Sequence, residues 1–529
     1  MKCPTPTQGD QGEERVQPKV DQKAQYPDLP LQALPEEVRK ALAILRASGI
    51  RAWLVGGSVR DLLLGRPTHD FDFVVEADGL QVARQVADTL RRPFVVLDGD
   101  RRFGRVVVRR ARRPIYLDFA PVTGGTLEAD LRQRDFTVNA LALDMAQDRP
   151  ALVDLVGGLE DLRAGLLRAA SPTAFDADPV RMLRAVRFCA ELGFRLDPET
   201  EALIPPRATS LGRSSWERIR DEMCRLLAPA DARDQVARLH RLGLLAPVLP
   251  EVAALEGVLQ SPPHRHDVFH HTLQVLAELE ALLALVGAGD APAGTEAPQW
   301  AYEALGARLA PFAAMLREHL ARPSGFGRTR ALLLKWAALL HDVGKPQCQS
   351  REPDGRIRFL QHDAVGARLA REVAIRLRLD RREAEALAAV VQHHMRPSLL
   401  AEEPQVTGRA IYRYFRDTGE TGVETVLLAL ADHLATRGPN AEPQRWTRRL
   451  DLAARLLEAF FVRREREVSP PRLVSGEDLL ALGVPQGPRI GELLVALQEA
   501  QAEGTVATRE EALAWLQERL ALADAGEQG

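Results

Sequence analysis

Two aspartates separated by one residue, Asp70 and Asp72, stand in a run with the alternation of a β-strand, DFDFVV. Side chains of a strand repeat every two residues, so both carboxylates project from one face. Adjacent carboxylates repel each other, and a divalent cation between them removes that repulsion. The spacing therefore indicates a metal-binding pair, with an exposed acidic strand edge as the alternative.

A glycine turn lies shortly before this pair. Gly56 and Gly57 lead into Arg60 and the apolar stretch LLLG, the pattern of a turn that feeds a helix. Glycine lets a ligand approach the backbone closely, and backbone amides beside a guanidinium suit a phosphate chain. Because the turn and the acidic pair occur together, we favour the catalytic interpretation of the pair.

Two further features of the N-terminal part bear on the same chemistry. Asp118, in the run IYLDFAPV, is a candidate third carboxylate and equally an acid at a strand end. The run from Arg101 to Arg113 contains seven arginines and no acid. Its alternation predicts a strand with one solvated face, and arginines beside an active site suit the phosphates of RNA.

Asp178 and Arg181 form a separate pair in a stretch with helical spacing. Three residues apart on a helix, they share a face, and an intrahelical ion pair is the plain interpretation. The alternative is that both contact a nucleobase. A carboxylate only accepts hydrogen bonds and a guanidinium only donates them, so the pair complements cytosine and adenine and mismatches uracil and guanine.

Six histidines and aspartates of the C-terminal half are candidate metal ligands. A single histidine on an apolar helix is usually structural, but a His-Asp dipeptide that ends an apolar helix is rarer. Imidazoles together with carboxylates suit a transition metal or Mg²⁺. The candidates are His271, His341, Asp342, His362, His394 and Asp432.

The elements that must position these residues change along the chain. Up to about Gly158, a helix is followed by the short strand-like runs AWLV, DFDFVV, PFVVLD, RVVVRR and IYLDFA, which predict a small α/β head with one sheet. From about Leu159 onward helical spacing predominates, interrupted by loops rich in Gly and Pro. We predict a multidomain protein in which an α/β head precedes an all-α body.

Composition excludes several classes of protein. The 529 residues exceed what one hydrophobic core accommodates, and a formal charge of −3 gives no global basic field. The four cysteines lack metal or disulfide spacing, which fits a reducing compartment. No signal-peptide pattern and no apolar run of roughly 18–20 uncharged residues is found. We therefore expect a cytoplasmic protein without membrane contact.

The stretch from Leu54 to Val75 resembles the nucleotidyltransferase signature of the polymerase-beta-like superfamily, in the class II form of bacterial tRNA CCA-adding enzymes and poly(A) polymerases. The segments DLRQRDFTVNALALD, LVDLVGGLEDLRAGLLR, ADPVRMLRAVRFCAELGF and SSWERIRDEM resemble later motifs of the family, in the family's order. The resemblance implies nucleotidyl transfer with Asp70 and Asp72 holding Mg²⁺, and Asp118 remains the candidate for a third catalytic carboxylate. It also implies CTP and ATP as substrates and the tRNA 3′ end as acceptor.

The same resemblance implies which residues contact the nucleotide. The family's Arg-Arg-Asp ribose motif has Gln133 at its first position here, and its Glu-Asp-x-x-Arg base-reading motif has Ala177 in place of the glutamate. The implied nucleotide-binding set is Gly56, Gly57, Arg60, Arg134, Asp135, Asn139, Asp178, Arg181, Arg184 and Arg187.

From about His264 to Gly438 the chain resembles the HD phosphohydrolase superfamily. Four residues fall at the core ligand positions of that superfamily, namely His271, His341, Asp342 and Asp432, and His362 and His394 match the extra histidines of some members. The resemblance implies a divalent metal (Mg²⁺, Mn²⁺ or Ni²⁺) and hydrolysis of phosphomonoester or cyclic-phosphate bonds. A domain kept only as scaffold is the alternative.

We predict five segments: a disordered polar N-terminus (1–30), the nucleotidyltransferase head (31–165), a helical neck that binds nucleotide and RNA (166–262), an HD domain (263–440) and a helical tail (441–529) that resembles the tRNA-binding end of the family. The predicted function is template-independent addition of CMP, AMP or both to a tRNA 3′ end. The alternatives are a poly(A) polymerase, an enzyme that adds only CC or only A, a phosphohydrolase with an RNA-binding head, and an inactive RNA-binding regulator. The oligomeric state does not follow from the sequence.

Overall fold

The computed structural model describes residues 34–110, 113–146, 150–287, 295–325 and 327–526. Its internal contacts divide the chain into two compact units, Met1–Ser214 and Ser215–Gly529. The N-terminus predicted to be disordered (1–30) lies outside the described residues.

Seven strands of the first unit form one sheet: β1 (Ala52–Val55), β2 (Asp70–Val75), β3 (Phe94–Asp98), β4 (Phe103–Val108), β5 (Ile115–Pro121), β6 (Leu141–Asp144) and β7 (Ala151–Asp154). Their order in the sheet is β3-β4-β5-β2-β1-β6-β7. Strands β2 and β5 run parallel and the other neighbouring pairs run antiparallel. The sheet is therefore mixed, as the predicted α/β head requires.

The alternation in β2 separates a core face from an open face. Phe71 and Phe73 are buried, and the ring of Phe73 stacks on that of Phe119 in β5 at 5.0 Å between centroids. Asp70 and Asp72 occupy the opposite face, where Asp70 is exposed and Asp72 is half-buried. The prediction that one strand face carries both carboxylates is confirmed.

The helices of the first unit are α1 (Glu36–Ala47), α2 (Gly57–Leu63), α3 (Gly79–Leu90), α4 (Leu127–Arg132), α5 (Gly158–Ala164), α6 (Ala174–Ala177), α7 (Arg181–Leu192) and α8 (Pro198–Ala202), with two short strands, β8 (Leu166–Leu167) and β9 (Arg195–Leu196). All five strand-like runs of the sequence form strands β1 to β5. Strands β6 and β7, each of four residues, were not predicted.

The expectation that Asp178 and Arg181 share one helix is wrong. Asp178 follows the last residue of α6 with φ −150° and ψ 99°, which is extended backbone, and Arg181 is the first residue of α7. The cause is Pro179, because a proline pushes the preceding residue out of the helical region. The two side chains are nevertheless neighbours, with 3.9 Å between Arg181 Nε and Asp178 Oδ2.

The second unit is almost entirely helical. Its helices are α9 (Trp216–Leu227), α10 (Ala232–Arg241), α11 (Leu245–Val248), α12 (Pro250–Ala253), α13 (Val268–Gly287), α14 (Gln299–Leu309), α15 (Ala313–Ala321), α16 (Arg330–Leu340), α17 (Lys345–Cys348), α18 (His362–Arg376), α19 (Arg381–His393), α20 (Arg396–Leu400), α21 (Gly408–Thr418), α22 (Gly422–Arg437), α23 (Pro443–Phe461), α24 (Gly476–Ala481), α25 (Pro488–Glu503) and α26 (Arg509–Gly526). Two small hairpins interrupt them, β10 (Pro323–Gly325) with β11 (Arg328–Thr329) and β12 (Gln349–Arg351) with β13 (Ile357–Phe359). Neither hairpin was predicted.

Helix α13 lies at the centre of this unit. Within the described residues it is the one helix long and apolar enough to cross a membrane, and 78% of its most apolar 18-residue window is buried inside the protein. It packs against α16, which ends just before His341, and against α22, which carries Asp432. At the end of the chain, α24 to α26 enclose a hydrophobic cluster of their own, which includes Leu479, Leu497 and Leu516.

Candidate active site and candidate metal centre

Three carboxylates and one guanidinium meet on the open face of the sheet. The register of parallel β2 and β5 sets Asp72 beside Asp118, and the register of β4 and β5 sets Arg105 on the other side of Asp118. Asp118 is buried, with 4% of its surface exposed, and Asp70 is exposed one pleat away from Asp72. The sheet therefore brings together the acidic residues that the sequence predicted.

The electrostatic environment of Asp72 is unfavourable for its charged form. Burial, with the neighbouring carboxylates of Asp118 and Asp70, raises the pKa of Asp72 to about 6. Arg134 and Arg105 oppose that increase without cancelling it. A divalent cation beside Asp70 and Asp72 would remove this conflict, and oxygen ligands are those that Mg²⁺ prefers, so the donor set fits Mg²⁺.

The glycine turn forms one wall of the site. Gly56 has φ 75°, a conformation that other residues rarely adopt. A Cβ at Gly56 would lie 2.8 Å from Arg134 Nη1 and 3.5 Å from Asp72 Oδ2, and a Cβ at Gly57 would lie 3.5 Å from Arg60 Nη2. The absence of side chains at the turn keeps open the space between the carboxylate of Asp72 and two guanidinium groups.

A chain of hydrogen bonds connects this turn with helix α7. Arg60 Nη1 donates to Asn139 Oδ1 at 2.6 Å, and Asn139 Nδ2 donates to Asp135 Oδ1 at 3.0 Å. Arg184 donates from Nε and Nη2 to Asp135 Oδ2, at 2.9 and 2.6 Å. Four residues of the predicted nucleotide-binding set are thus joined in one network.

Asp135 has the central place in that network. Its Oδ1 also accepts the backbone N–H of Phe136 at 2.9 Å, so its two oxygens accept four hydrogen bonds from the protein. Burial raises the pKa of Asp135, but Arg184 and Asn139 more than offset that effect and the pKa is lowered. Both oxygens of Asp135 thus accept hydrogen bonds from other protein groups, and this favours a positioning role over direct contact with a ribose.

The remaining members of the predicted set surround the same region. Arg134 donates from Nε and Nη2 to Asp130, which leaves Nη1 beside the Gly56 turn. Arg181 donates from Nη2 to the carbonyl of Gln133 at 2.8 Å, so α7 is held against the segment that carries Arg134. Arg187 is buried and pairs with Glu191 at 2.6 Å, within α7.

The second constellation lies inside the second unit, where five helices or helix ends bring all six predicted ligands together. His271 Nε2 lies 3.0 Å from Asp432 Oδ1 and 3.7 Å from Asp342 Oδ2. His341 Nε2 lies 3.1 Å from Asp342 Oδ2. On the other side of that carboxylate, Oδ1 lies 3.5 Å from His362 Nε2 and 3.9 Å from His394 Nε2.

Three of these rings are oriented by the backbone. The Nδ1 atoms of His341, His362 and His394 lie 2.8, 2.8 and 2.7 Å from the carbonyl oxygens of Ala338, Phe359 and Val391. A carbonyl oxygen only accepts, so in the neutral ring the proton is on Nδ1 and the lone pair of Nε2 faces Asp342. This is the arrangement of histidines that coordinate a metal through Nε2.

Several buried polar atoms converge at the centre of this cluster without a well-formed hydrogen bond. Among the described residues these are the Nε2 atoms of His271 and His341 and the Oδ2 atom of Asp342, although Lys345 Nζ lies 2.6 Å from that oxygen. Burial lowers the pKa of His394 to about 4 and also lowers that of His271, which keeps both rings neutral. Buried polar atoms are normally satisfied, so this donor set fits a divalent metal ion.

Asp342 takes part in two possible ligand sets. One comprises His271, His341 and Asp342, and the other comprises Asp342, His362 and His394. Lys345 lies 2.6 Å from Asp342 Oδ2 and donates to Gln260 Oε1 at 2.6 Å. Sequence reasoning did not single out Lys345 or Gln260, although the Gly-Lys that follows the His-Asp dipeptide was a visible signal for the lysine.

Three family models match the chain. The model described as the poly A polymerase head domain matches residues 52–168, and the model described as a probable RNA and SrmB-binding site of polymerase A matches residues 193–255. The HD domain model matches residues 307–437 and so begins after His271. The structure places His271 against Asp432 all the same.

The chain is similar to curated proteins over most of its length. It is 37% identical to the A-adding tRNA nucleotidyltransferase of Deinococcus radiodurans, over 88% of this chain and 95% of that protein. It is 35% identical to the CC-adding tRNA nucleotidyltransferase of Thermus thermophilus, over 88% of this chain and 93% of that protein. A solved CCA-adding enzyme in complex with ATP matches the fold with a TM-score of 0.61 at 20% identity, covering 93% of this chain and 98% of the other.

Proposed function

The chain belongs to the tRNA nucleotidyltransferase family, and we propose that it extends the tRNA 3′ end with CMP from CTP, with AMP from ATP, or with both, releasing pyrophosphate. The protein is thus an enzyme of tRNA processing with an HD domain. The proteins that it resembles include an A-adding and a CC-adding tRNA nucleotidyltransferase. We propose the cytoplasm as its place of action.

The observation that carries this proposal is the position of Asp70 and Asp72 on the open sheet face, beside the Gly56 turn and Arg134. Mg²⁺ bound to this pair would activate the RNA 3′-hydroxyl and neutralise the charge of the triphosphate. The Gly56 turn admits the phosphates close to the backbone, and Arg60 and Arg134 attract them electrostatically. The α-phosphate is thereby held where the hydroxyl can attack it in line.

We propose that the start of α7 selects the base. Asp178 accepts and Arg181 donates hydrogen bonds, which complements the amino group and ring nitrogen of cytosine and adenine. Arg181 now donates to backbone carbonyls of Gln133 and Ala174, so a bound base would compete with those contacts. Helix α7 is fixed relative to the Gly56 turn by the hydrogen-bonded network of Arg60, Asn139, Asp135 and Arg184.

Three tRNA transcripts test the proposal, one ending before CCA, one after the first C and one after CC, each incubated with labelled CTP or ATP. A CC-adding enzyme extends the first two with CMP only, an A-adding enzyme extends the third with one AMP, and a CCA-adding enzyme extends all three. Repeated AMP addition on every end would identify a poly(A) polymerase. No incorporation in any reaction would contradict the proposal.

For the second unit we propose a metal-dependent phosphohydrolase that acts on phosphomonoester or cyclic-phosphate bonds. The support is the convergence of buried histidine nitrogens and carboxylate oxygens around Asp342 in two candidate ligand sets. The six ligands would hold one or two divalent ions, which supply a nucleophilic hydroxide at neutral pH. Lys345, which pairs with Asp342, would bind a substrate phosphate.

The test begins with the unmodified protein, p-nitrophenyl phosphate and 2′,3′-cyclic AMP, each with Mg²⁺, Mn²⁺ or Ni²⁺. We expect hydrolysis that His341→Gln abolishes and that His270→Gln preserves. His270 is the matched control because it neighbours His271 on α13 but is exposed and pairs with Asp267. No hydrolysis with any metal, together with no bound metal by elemental analysis, would leave this unit as scaffold.

A further inference from the structure

Asp118 and Arg105 form a bidentate ion pair at the active-site face of the sheet. Arg105 Nε donates to Asp118 Oδ1 and Arg105 Nη2 donates to Asp118 Oδ2, both at 2.7 Å. The two residues stand directly opposite each other in antiparallel β4 and β5. Each oxygen of Asp118 thus receives its own N–H donor, in the fork geometry that fixes a carboxylate most firmly.

This pairing distinguishes Asp118 from the two carboxylates of β2. Asp70 is exposed and Asp72 half-buried, whereas the side chain of Asp118 is only 6% exposed and is paired with the guanidinium of Arg105. A metal ion bound to Asp118 would stand close to that fixed positive charge, and the repulsion between the two cations opposes coordination there. Asp118 is therefore already paired with Arg105, and this pairing opposes a role as metal ligand.

Arg105 keeps donors that the pair does not use. A guanidinium has five N–H groups, and the fork to Asp118 uses Nε–H and one N–H of Nη2. The side chain is 29% exposed and its guanidinium lies 4.4 Å from the ring centroid of Tyr116, the residue that faces Asp70 in the register of β2 and β5. The aromatic ring and the carboxylate hold the guanidinium on the face where the reactants must lie.

We propose that Asp118 is a positioning residue rather than a third metal ligand, and that it holds Arg105 so that this arginine donates hydrogen bonds to a phosphate oxygen of the reactants. The inference rests on the proposed nucleotidyl transfer. The phosphate belongs either to the nucleoside triphosphate or to the terminal nucleotide of the RNA. Arg105 then supplies positive charge where the transferring phosphoryl group accumulates negative charge.

A double-mutant cycle with Asp118→Asn and Arg105→Gln tests the proposal, with kcat and KM measured for CTP, ATP and tRNA. Loss of one preorganised donor typically lowers the rate by about 100-fold or more, and we expect each single variant to lose about that much. Because Asp118 acts through Arg105, the double variant should be no slower than Arg105→Gln alone. A raised KM for CTP or ATP assigns the contact to the triphosphate, and a raised KM for tRNA assigns it to the RNA.

Mg²⁺ dependence provides the readout that separates positioning from metal binding. We expect Asp118→Asn to leave both the Mg²⁺ concentration for half-maximal rate and the calorimetric Mg²⁺ affinity within about twofold of the unmodified protein. A shift of about tenfold or more, or additive losses in the double variant, would identify Asp118 as a ligand and overturn the proposal. Wild-type rates for Arg105→Gln would overturn it as well.

Two controls keep these outcomes interpretable. Arg105→Lys retains the charge but not the fork, and we expect an intermediate rate, so that a folding failure of Arg105→Gln does not decide the test. Arg51→Gln removes another ion-paired arginine, which directly precedes β1 and lies 3.2 Å from Asp144, and should leave the rate unchanged. If the unmodified protein incorporates no nucleotide, the proposed function fails; if it does and Arg105→Gln equals it, only this inference fails.

Discussion

The two candidate sites surround their central carboxylates with charges of opposite sign. Asp72 lies beside two other carboxylates, and burial together with these neighbours raises its pKa to about 6. Asp342 is more deeply buried, yet His341 and Lys345 outweigh the effect of burial and hold its pKa well below the usual range. The three carboxylates of the sheet face thus repel one another, whereas the central carboxylate of the helical cluster is paired with Lys345.

The two sites also differ in exposure, and this difference matches the ligands that each site must bind. A nucleotide and an RNA end are both large, and the exposed Asp70 and half-buried Asp72 leave room for them on an open sheet face. His271, His341, Asp342 and His394 are each no more than 2% exposed, which suits ligands that are fixed before a metal binds. We expect the head to require a cation brought in with its substrate and the helical cluster to retain its metal.

The largest expected effect is a loss of nucleotide incorporation by the head, without a change in the second unit. Asp72→Asn removes a metal-holding charge, and we expect nucleotide incorporation to fall by more than about 1000-fold, in the range of losses for essential catalytic groups. Phosphohydrolysis and bound metal in the second unit should not change. Incorporation near the wild-type rate, measured with labelled CTP and ATP, would remove Asp72 from the proposed metal pair.

The converse substitution, Asp342→Asn, should remove the metal from the helical cluster and leave nucleotide incorporation by the head unchanged. Asp342 faces the Nε2 atoms of four histidines, and we expect metal affinity to fall by more than about 100-fold, since even a residue that merely orients a ligand can cost that much. Elemental analysis after dialysis measures the loss. Unchanged metal content would contradict the assignment, and a parallel loss of nucleotide incorporation would show that the sites are not independent.

A smaller effect is expected where the head selects its base. Arg181→Ala removes a donor from the proposed pair with Asp178, and an unpaired polar group typically costs about 1–3 kcal/mol. We therefore expect the preference for CTP and ATP over UTP and GTP to decrease about tenfold, measured as relative kcat/KM. If thermal stability falls while selectivity stays the same, Arg181 serves only its contacts with the carbonyls of Gln133 and Ala174.

The smallest effect is on stability and follows from the raised pKa of Asp72. A carboxyl group whose pKa is raised on folding favours the folded state while it is protonated, and this contribution is lost as the pH rises through about 6. In EDTA, Asp72→Asn should therefore be more stable than the unmodified protein above pH 6, by about a few degrees in Tm. The difference should vanish near pH 4. A lower Tm of the variant at pH 7 would contradict the predicted repulsion.

The sequence was sufficient for features that depend on neighbours along the chain. The alternation in DFDFVV placed Asp70 and Asp72 on one face, and the glycine turn before it was recognised from composition. The error at Asp178 was also local, because Pro179 follows it and the effect of a proline on the preceding residue is known. That signal was present in the sequence and was overlooked.

Other features depended on which segments meet. Arg105 belonged to a run read as a general RNA-binding edge, and only the register of β4 against β5 shows that it faces Asp118. Gln260 carries no ligand motif, and only the packing of its loop brings it to Lys345. Such contacts join residues 13 and 85 positions apart, and no local periodicity encodes them.

The hydrogen-bonded chain from Arg60 to Arg184 has a consequence for the order in which the protein folds. All seven strands of the sheet are complete by Asp154, but Arg184 is 49 positions beyond Asp135 and Asn139 is 79 positions beyond Arg60. All strands of the sheet, with Asp70 and Asp72, are therefore synthesised before α7. A chain released at that stage would present Asp70 and Asp72 without a fixed Asp135. We expect ordering of this region, followed by hydrogen exchange at the Phe136 amide, only in chains that extend through Leu192.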